Sequence, residues 1–204
     1  MAPAQKHRQA LIDASVALFQ RQGYAATGLA EILTESGAPR GSLYHYFPEG
    51  KEAIGEAALL AAAGRTEARI RAATAQLQDP RAVILAIAEA TCVSLEKSAF
   101  TRGCPVATVA LESGGHCSRL SNASRDAFGL WTTALADMMA AAGIPAARAG
   151  ELADFILASL EGAMILARVR QTVAPVRSFA AEMIRVLNHE LPPNPSSKGD
   201  PSHA

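Results

Sequence analysis

The residues best suited to specific chemistry stand together in one short stretch: Arg40, Gly41 and Ser42, followed by Tyr44 and His45, with Lys51 close behind. An arginine can donate two parallel hydrogen bonds to a guanine edge, or one to a phosphate. A serine hydroxyl serves either purpose. Glycine between them removes a side chain, so a helix carrying these residues can come close to a large ligand. Tyr44 and His45 offer an O–H and an imidazole N–H that can donate to a sugar-phosphate backbone, and Lys51 adds a cation beside it. Tyr44, His45 and Tyr46 cannot all be core, because a helix turns about 100° per residue. Leu43 and Phe47, four apart, are the natural anchors. Upstream, Thr27 and Gly28 precede another short helix, where the Thr27 hydroxyl can cap the helix and also meet a phosphate.

Other reactive side chains are sparse. Cys92, Cys104 and Cys117 contain no Cys-x-x-Cys pair, and the adjacent His116 and Cys117 have poor spacing for shared metal ligation. There is no phosphate-cradling glycine loop. No metal site, cofactor or catalytic residue is therefore expected, and the protein is not read as an enzyme. Three cysteines in 204 residues do not suggest a disulfide framework. A reducing cytoplasm is the simpler setting.

The elements that must position the cluster are helices. Apolar residues recur at helical spacing and alanine is abundant, while sustained strand alternation is absent. A first helix spans about residues 5–22, with Leu11, Ile12, Ser15, Leu18 and Phe19 facing inward, and ends at Gly23. A second runs from about Leu29 to Ser36 and a third from Pro39 to Phe47, broken by Pro48, Glu49 and Gly50. A long helix covers about 51–78. Asp79 as cap and Pro80 at the first helical position open the next, which reaches about Ser98. Further helices cover about 104–112, 120–142, 147–170 and 176–191, with a loop at Ser113 to Gly115. The expected fold is all-α, of about nine helices.

Two short helices joined by a glycine turn match the helix-turn-helix plan, in which the second helix enters the major groove with its N-terminal residues toward base edges. Residues 1–51 would form this three-helix head and residues 52–191 a larger helical domain. The segment 192–204, with four prolines and little that is apolar, would be a disordered tail. Charge does not reveal the head. The whole chain is neutral, and residues 1–51 are barely basic, with Lys6, Arg8, Arg21, Arg40 and Lys51 against Asp13, Glu31, Glu35 and Glu49. Half the residues are hydrophobic and only 19% are charged, which suits a chain that hides some apolar surface against a partner. No run approaches the ~20 apolar residues needed to cross a bilayer.

The string Gly37-Ala38-Pro39-Arg40-Gly41-Ser42-Leu43-Tyr44-His45-Tyr46-Phe47-Pro48-Glu49-Gly50-Lys51-Glu52 resembles the signature of the TetR family of bacterial regulators. Gly23-Tyr24-Ala25-Ala26-Thr27-Gly28-Leu29-Ala30-Glu31-Ile32 is similar to the same family. Arg102-Gly103-Cys104-Pro105-Val106 with Leu111-Glu112 resembles its LmrA/YxaF-type branch. Gly28 and Pro39 depart from the pattern, standing where Ser or Thr usually caps a helix. Thr27 is the candidate to replace the first hydroxyl.

The resemblance implies a homodimer formed through the last two helices, a double-stranded operator as partner and a small-molecule effector. The helix near 147–170 is apolar nearly all round, and the last helix carries a stripe of Val176, Phe179, Ala180, Met183, Ile184, Leu187 and Leu191. A large monomeric core is the alternative. The resemblance also implies a pocket in the middle helices, with Cys92, Cys104, Val106, Glu112, Phe128, Trp131, Leu135, Met138 and Met139 as candidates. Their apolar and aromatic character favours a lipophilic or aromatic effector. Repression released by that effector is the expected action. Activation, or a thiol switch at Cys104, stays open on the sequence.

Overall fold

The computed structural model describes residues 3–113 and 118–192, and among these every regular element is a helix. They are α1 (Pro3–Gln22), α2 (Leu29–Ser36), α3 (Arg40–Tyr46), α4 (Lys51–Leu77), α5 (Pro80–Lys97), α6 (Pro105–Ser113), α7 (Ser118–Ala141), α8 (Ala146–Arg170) and α9 (Ala174–Glu190). The expected tail from Pro193 onward and the loop at Gly114 and Gly115 lie outside the described residues, as do His116 and Cys117. Ser113, expected in that loop, closes α6 instead, and its buried hydroxyl donates to the Val109 carbonyl at 2.7 Å.

Local chemistry accounts for the helix limits. The Asp79 carboxylate accepts from the Arg81 amide at 2.9 Å, capping α5, and Pro80 follows where no amide partner is needed. At the other end of the molecule α1 stops at Gly23, whose φ of +84° only glycine adopts at low cost.

Two apolar cores result. The smaller joins α1, α2 and α3 through Leu11, Ile12, Leu18, Ile32, Leu43 and Phe47, and extends into α4 at Ile54. The larger is built around α7, with Leu120, Trp131, Leu135, Met138 and Met139, against α4, α6 and α8, and continues through α5 and α9, which pack on α8 and on each other. α4 belongs to both, since Ile54 sits in the first core and Ala58, Leu59, Ala62 and Ile70 in the second. A continuous helix of 27 residues therefore links head and body and spans about 40 Å.

The apolar stripe of α9 is turned inward. Val176, Phe179, Ala180, Met183 and Leu187 are buried against α5 and α8, and the outward face shows Ser178, Ala181, Glu182, Arg185 and Asn188. The stripe is thus satisfied within the protomer and cannot by itself call for a partner, which corrects that part of the sequence argument. α8 is different. Leu152, Ala153, Ile156, Ala163 and Ala167 face inward, whereas Phe155, Ile165, Leu166 and Val169 remain exposed, Val169 to 77%. Among the described residues no helix is long and apolar enough to cross a membrane.

Candidate nucleic-acid interface

α3 is held to the head by two side chains. Leu43 is fully buried and Phe47, just past the helix end, is 3% exposed, with the Arg8 guanidinium lying 5.6 Å from its ring centroid. Each such burial contributes roughly 2–3 kcal/mol. With that face fixed, Arg40, Gly41, Tyr44 and His45 must point to solvent, and all four are exposed; Ser42 is partly covered. Among the described residues neither Arg40 nor the Tyr44 hydroxyl has a hydrogen-bonding or ionic partner. Arg21, by contrast, is held by both oxygens of Glu35 at 3.2 Å. That pairing, through hydrogen bonding first and charge second, keeps the Glu35 carboxyl below its usual pKa. His45 lies edge-on to Tyr46, with ring centroids 4.7 Å apart.

Space around Gly41 is open, so nothing inside the protomer demands glycine there. Pro39 precedes α3 without a side-chain cap, and its carbonyl accepts from the Ser42 amide at 2.8 Å. Gly28 likewise leaves the start of α2 uncapped. The expectation that Thr27 supplies the missing cap and reaches a phosphate is corrected. Thr27 is 1% exposed and its hydroxyl donates inward to the Gly23 carbonyl at 2.6 Å, bracing the turn after α1. Lys51 has partners of its own. Its Nζ lies 4.3 Å from the centre of the Tyr24 ring and donates to the Ala25 carbonyl at 3.3 Å. Burial lowers its pKa, against the opposing pull of the Glu112 carboxylate.

The candidate effector residues are spread over α5, α6 and α7. Phe128 and Trp131 meet edge-on at 5.6 Å, and Trp131, Leu135, Met138 and Met139 are buried in the body core, as is Val106 on α6. The indole N–H is satisfied by the Ala63 carbonyl at 2.9 Å. Cys92 borders a separate groove of about 220 Å³ between α5 and α9, lined also by Leu85, Glu89, Arg177 and Ala180. Cys104 opens α6, where its sulfur accepts from the Ala107 amide at 3.4 Å. Burial, and then the Glu161 carboxyl beside it, push its thiol pKa well up. Among the described residues no cluster of His, Cys, Asp or Glu could hold a metal.

Glu112, placed in the pocket by the sequence reading, is elsewhere. It is exposed, and its Oε2 accepts from the backbone amides of Tyr24 and Ala25 at 2.7 and 2.8 Å, in the turn after α1. No sequence signal links positions so far apart along the chain. Arg119 of α7 makes a second tie of this kind, pairing with Glu49 in the turn before α4 and with Glu56 at 3.6 Å. Arg8 beside α3 is a further cation that motif reasoning passes over.

Comparison with known proteins agrees with this architecture. Residues 11–58 match the bacterial regulatory proteins of the tetR family, and residues 80–182 match the LmrA/YxaF-like transcriptional regulator C-terminal domain. An uncharacterized HTH-type transcriptional regulator of Mycobacterium tuberculosis is 33% identical over 190 residues, covering 91% of this chain and 96% of that one. The HTH-type transcriptional regulator LmrA of Bacillus subtilis is 30% identical over 169 residues, covering 83% and 90%. Among solved structures, the regulatory protein TetR from Rhodobacter sphaeroides superposes with a TM-score of 0.78 at 26% identity, covering 87% of this chain and 96% of that one. A TetR-family regulator from Cytophaga hutchinsonii shares the fold at TM-score 0.79 and 20% identity, covering 95% and 99%. With a three-helix head that presents α3, an LmrA/YxaF-like helical body, and relatives of this identity along most of its length, this chain belongs to the TetR family of DNA-binding transcriptional regulators.

Proposed function

We propose that the protein is a cytoplasmic repressor that grips a palindromic operator as a homodimer and lets go when a small lipophilic or aromatic effector binds. The observation that carries this reading is the α3 surface, where Arg40 and Tyr44 stand exposed, with no side-chain partner among the described residues, on a helix pinned by Leu43 and Phe47. In this reading Arg40 and Ser42 face base edges, and Gly41 permits close approach. Tyr44, His45 and Lys51 hold phosphates, and Gly28 leaves the first amides of α2 open to one. Thr27 acts indirectly by shaping the turn.

The dimer surface in this proposal is the open face of α8, where Phe155, Ile165, Leu166 and Val169 follow one stripe, flanked by the outward face of α9. Small residues Ala158 and Gly162 lie in the same stripe and would let two helices approach closely. Two heads then present two α3 helices at a fixed separation, which a palindrome mirrors. The α7 wall of Phe128, Trp131, Leu135 and Met138 is the proposed effector contact, opened by a shift to a conformation that binds DNA less well. No catalytic role is assigned.

Fluorescence anisotropy with DNA from upstream of the gene tests the reading. Specific binding should appear with a steep salt dependence, and Arg40→Ala should weaken it by about 10- to 100-fold without changing the helical circular dichroism. Equal affinity of the wild type for that DNA and for random duplex would refute it. Repression would be read from a reporter, whose output should rise when the gene is deleted. Trp131 is the sole tryptophan, so its emission reports directly on an aromatic effector entering the α7 wall. Compounds that release DNA without altering that emission would place the effector site elsewhere.

A further inference from the structure

The Arg102–Val106 motif and Glu112 lie outside the helix-turn-helix, yet both touch the head. α6 is tied to it at each end. At its start the Gly103 amide donates to the Gln20 carbonyl in the last turn of α1 at 2.9 Å. At its finish the Glu112 carboxylate bridges the Tyr24 and Ala25 amides. Side chains crowd the glycine at each contact. A Cβ on Gly23 would stand 1.9 Å from Glu112 Oε1, and one on Gly103 would stand 2.6 Å from an Arg168 guanidinium nitrogen. Arg168 fastens the same loop to α8, donating to the Phe100 and Thr101 carbonyls at 3.3 and 3.1 Å. There Ala99 and Phe100 are held in the left-handed region, at φ of +47° and +58°. Arg168 neighbours Val169, the most exposed apolar residue of α8.

We propose that Glu112 is a positioning residue for operator recognition: from α6 it clamps the turn after α1 and so sets the angle at which the head, and with it α3, leaves the body. Gly103 and Gln20 form the pivot of the same joint. A carboxylate accepting two backbone N–H bonds is a short, directional contact, and charge assistance makes it stronger than a neutral one. α4, together with Val16 and Phe19 of α1 in the body core, joins the two cores through apolar contacts that carry little directional preference. The Glu112 clamp adds a directional polar tie at Tyr24 and Ala25, the turn that Lys51 at the start of α4 also holds. In a dimer the angle of each head determines the separation of the two α3 helices, so the clamp controls which half-site spacing is accepted. The inference rests on the proposed dimeric DNA-binding reading.

The test uses the full-length protein and the duplex that the wild type selects from random-sequence DNA. Affinity is measured for that duplex, for versions with the half-sites one base pair closer or farther apart, and for random duplex. Glu112→Ala should bind the selected duplex about tenfold more weakly. It should discriminate less among the three spacings and keep its affinity for random duplex. Glu112→Gln, which retains an acceptor at the same reach, should restore most of the discrimination, and Glu112→Asp, one methylene short, should not. Thermal midpoint and dimer state are recorded on the same samples. If the alanine variant does not fold, the Gln and Asp pair carries the comparison. A merely structural role would lower affinity for all spacings by one factor and leave discrimination intact, and that result would overturn the proposal. Selection by the wild type of no duplex above random would refute the DNA-binding dimer instead, a separate outcome from unchanged discrimination in the variants.

Discussion

Gly23→Ala tests the joint energetically, because one methyl group meets two obstacles there. The first is the backbone, since φ of +84° costs a residue with a Cβ about 1–2 kcal/mol. The second is Glu112, whose Oε1 would lie 1.9 Å and Cδ 2.8 Å from the new methyl. The carboxylate must swing away and give up its bonds to Tyr24 and Ala25. Both bonds are solvent-exposed, so water partly replaces them, and their loss is worth about 0.5–1.5 kcal/mol each. The total is about 2–5 kcal/mol. The two parts separate in a double-mutant cycle measured by urea unfolding at fixed protein concentration. In a Glu112→Ala background the clash and the bonds are already gone, so Gly23→Ala should cost only the backbone part. The cycle should therefore show a coupling of about 1–3 kcal/mol. Additive effects would mean that the Glu112 contact contributes nothing and would refute the reasoning. Unfolding midpoints at two protein concentrations would expose any contribution from dissociation.

Other expectations follow from single sites. Val169→Glu places a charge on the most exposed apolar position of α8, so sedimentation should shift from dimer to monomer while helicity is kept; an unchanged dimer would move the interface off this face. Gly28→Ser supplies an oxygen at an uncapped α2 start whose φ of −95° and ψ of 153° suit any residue, with open space for its Cβ. Stability should rise by about 0.4–1 kcal/mol, read as a higher unfolding midpoint. Glu161→Gln tests a partly buried carboxyl. Burial raises the Glu161 pKa, with the Cys104 contact opposing, so its favourable contribution is present in acid and lost as pH rises through the folded-state value. The amide has no such titration. The variant should therefore gain stability on the wild type between acid and neutral pH, and parallel pH profiles would contradict the assignment.

The sequence by itself determined the helices and the surface of α3. Helical periodicity, Asp79 with Pro80, and the breaks at Gly23, Gly37 and Pro48 act within a few residues, so the element limits could be read nearly to the residue. The face of α3 was legible for the same reason, because Leu43 and Phe47 lie one turn apart and their burial leaves Arg40 and Tyr44 outside. What tertiary packing decided is how contacts distant along the chain are made. Thr27 looks like a cap, but the turn after α1 offers the Gly23 carbonyl closer at hand. The α9 stripe looks like an interface, but α5 and α8 cover it, leaving the open apolar face to α8. Glu112 is a pocket candidate only through the family resemblance, yet α6 lies against α1 and delivers the carboxylate to two amides near Gly23. An apolar periodicity states that a face must be buried without saying against what, and a polar side chain states that it needs a partner without saying which. Those answers came only when α1, α4 and α6 were brought together in space.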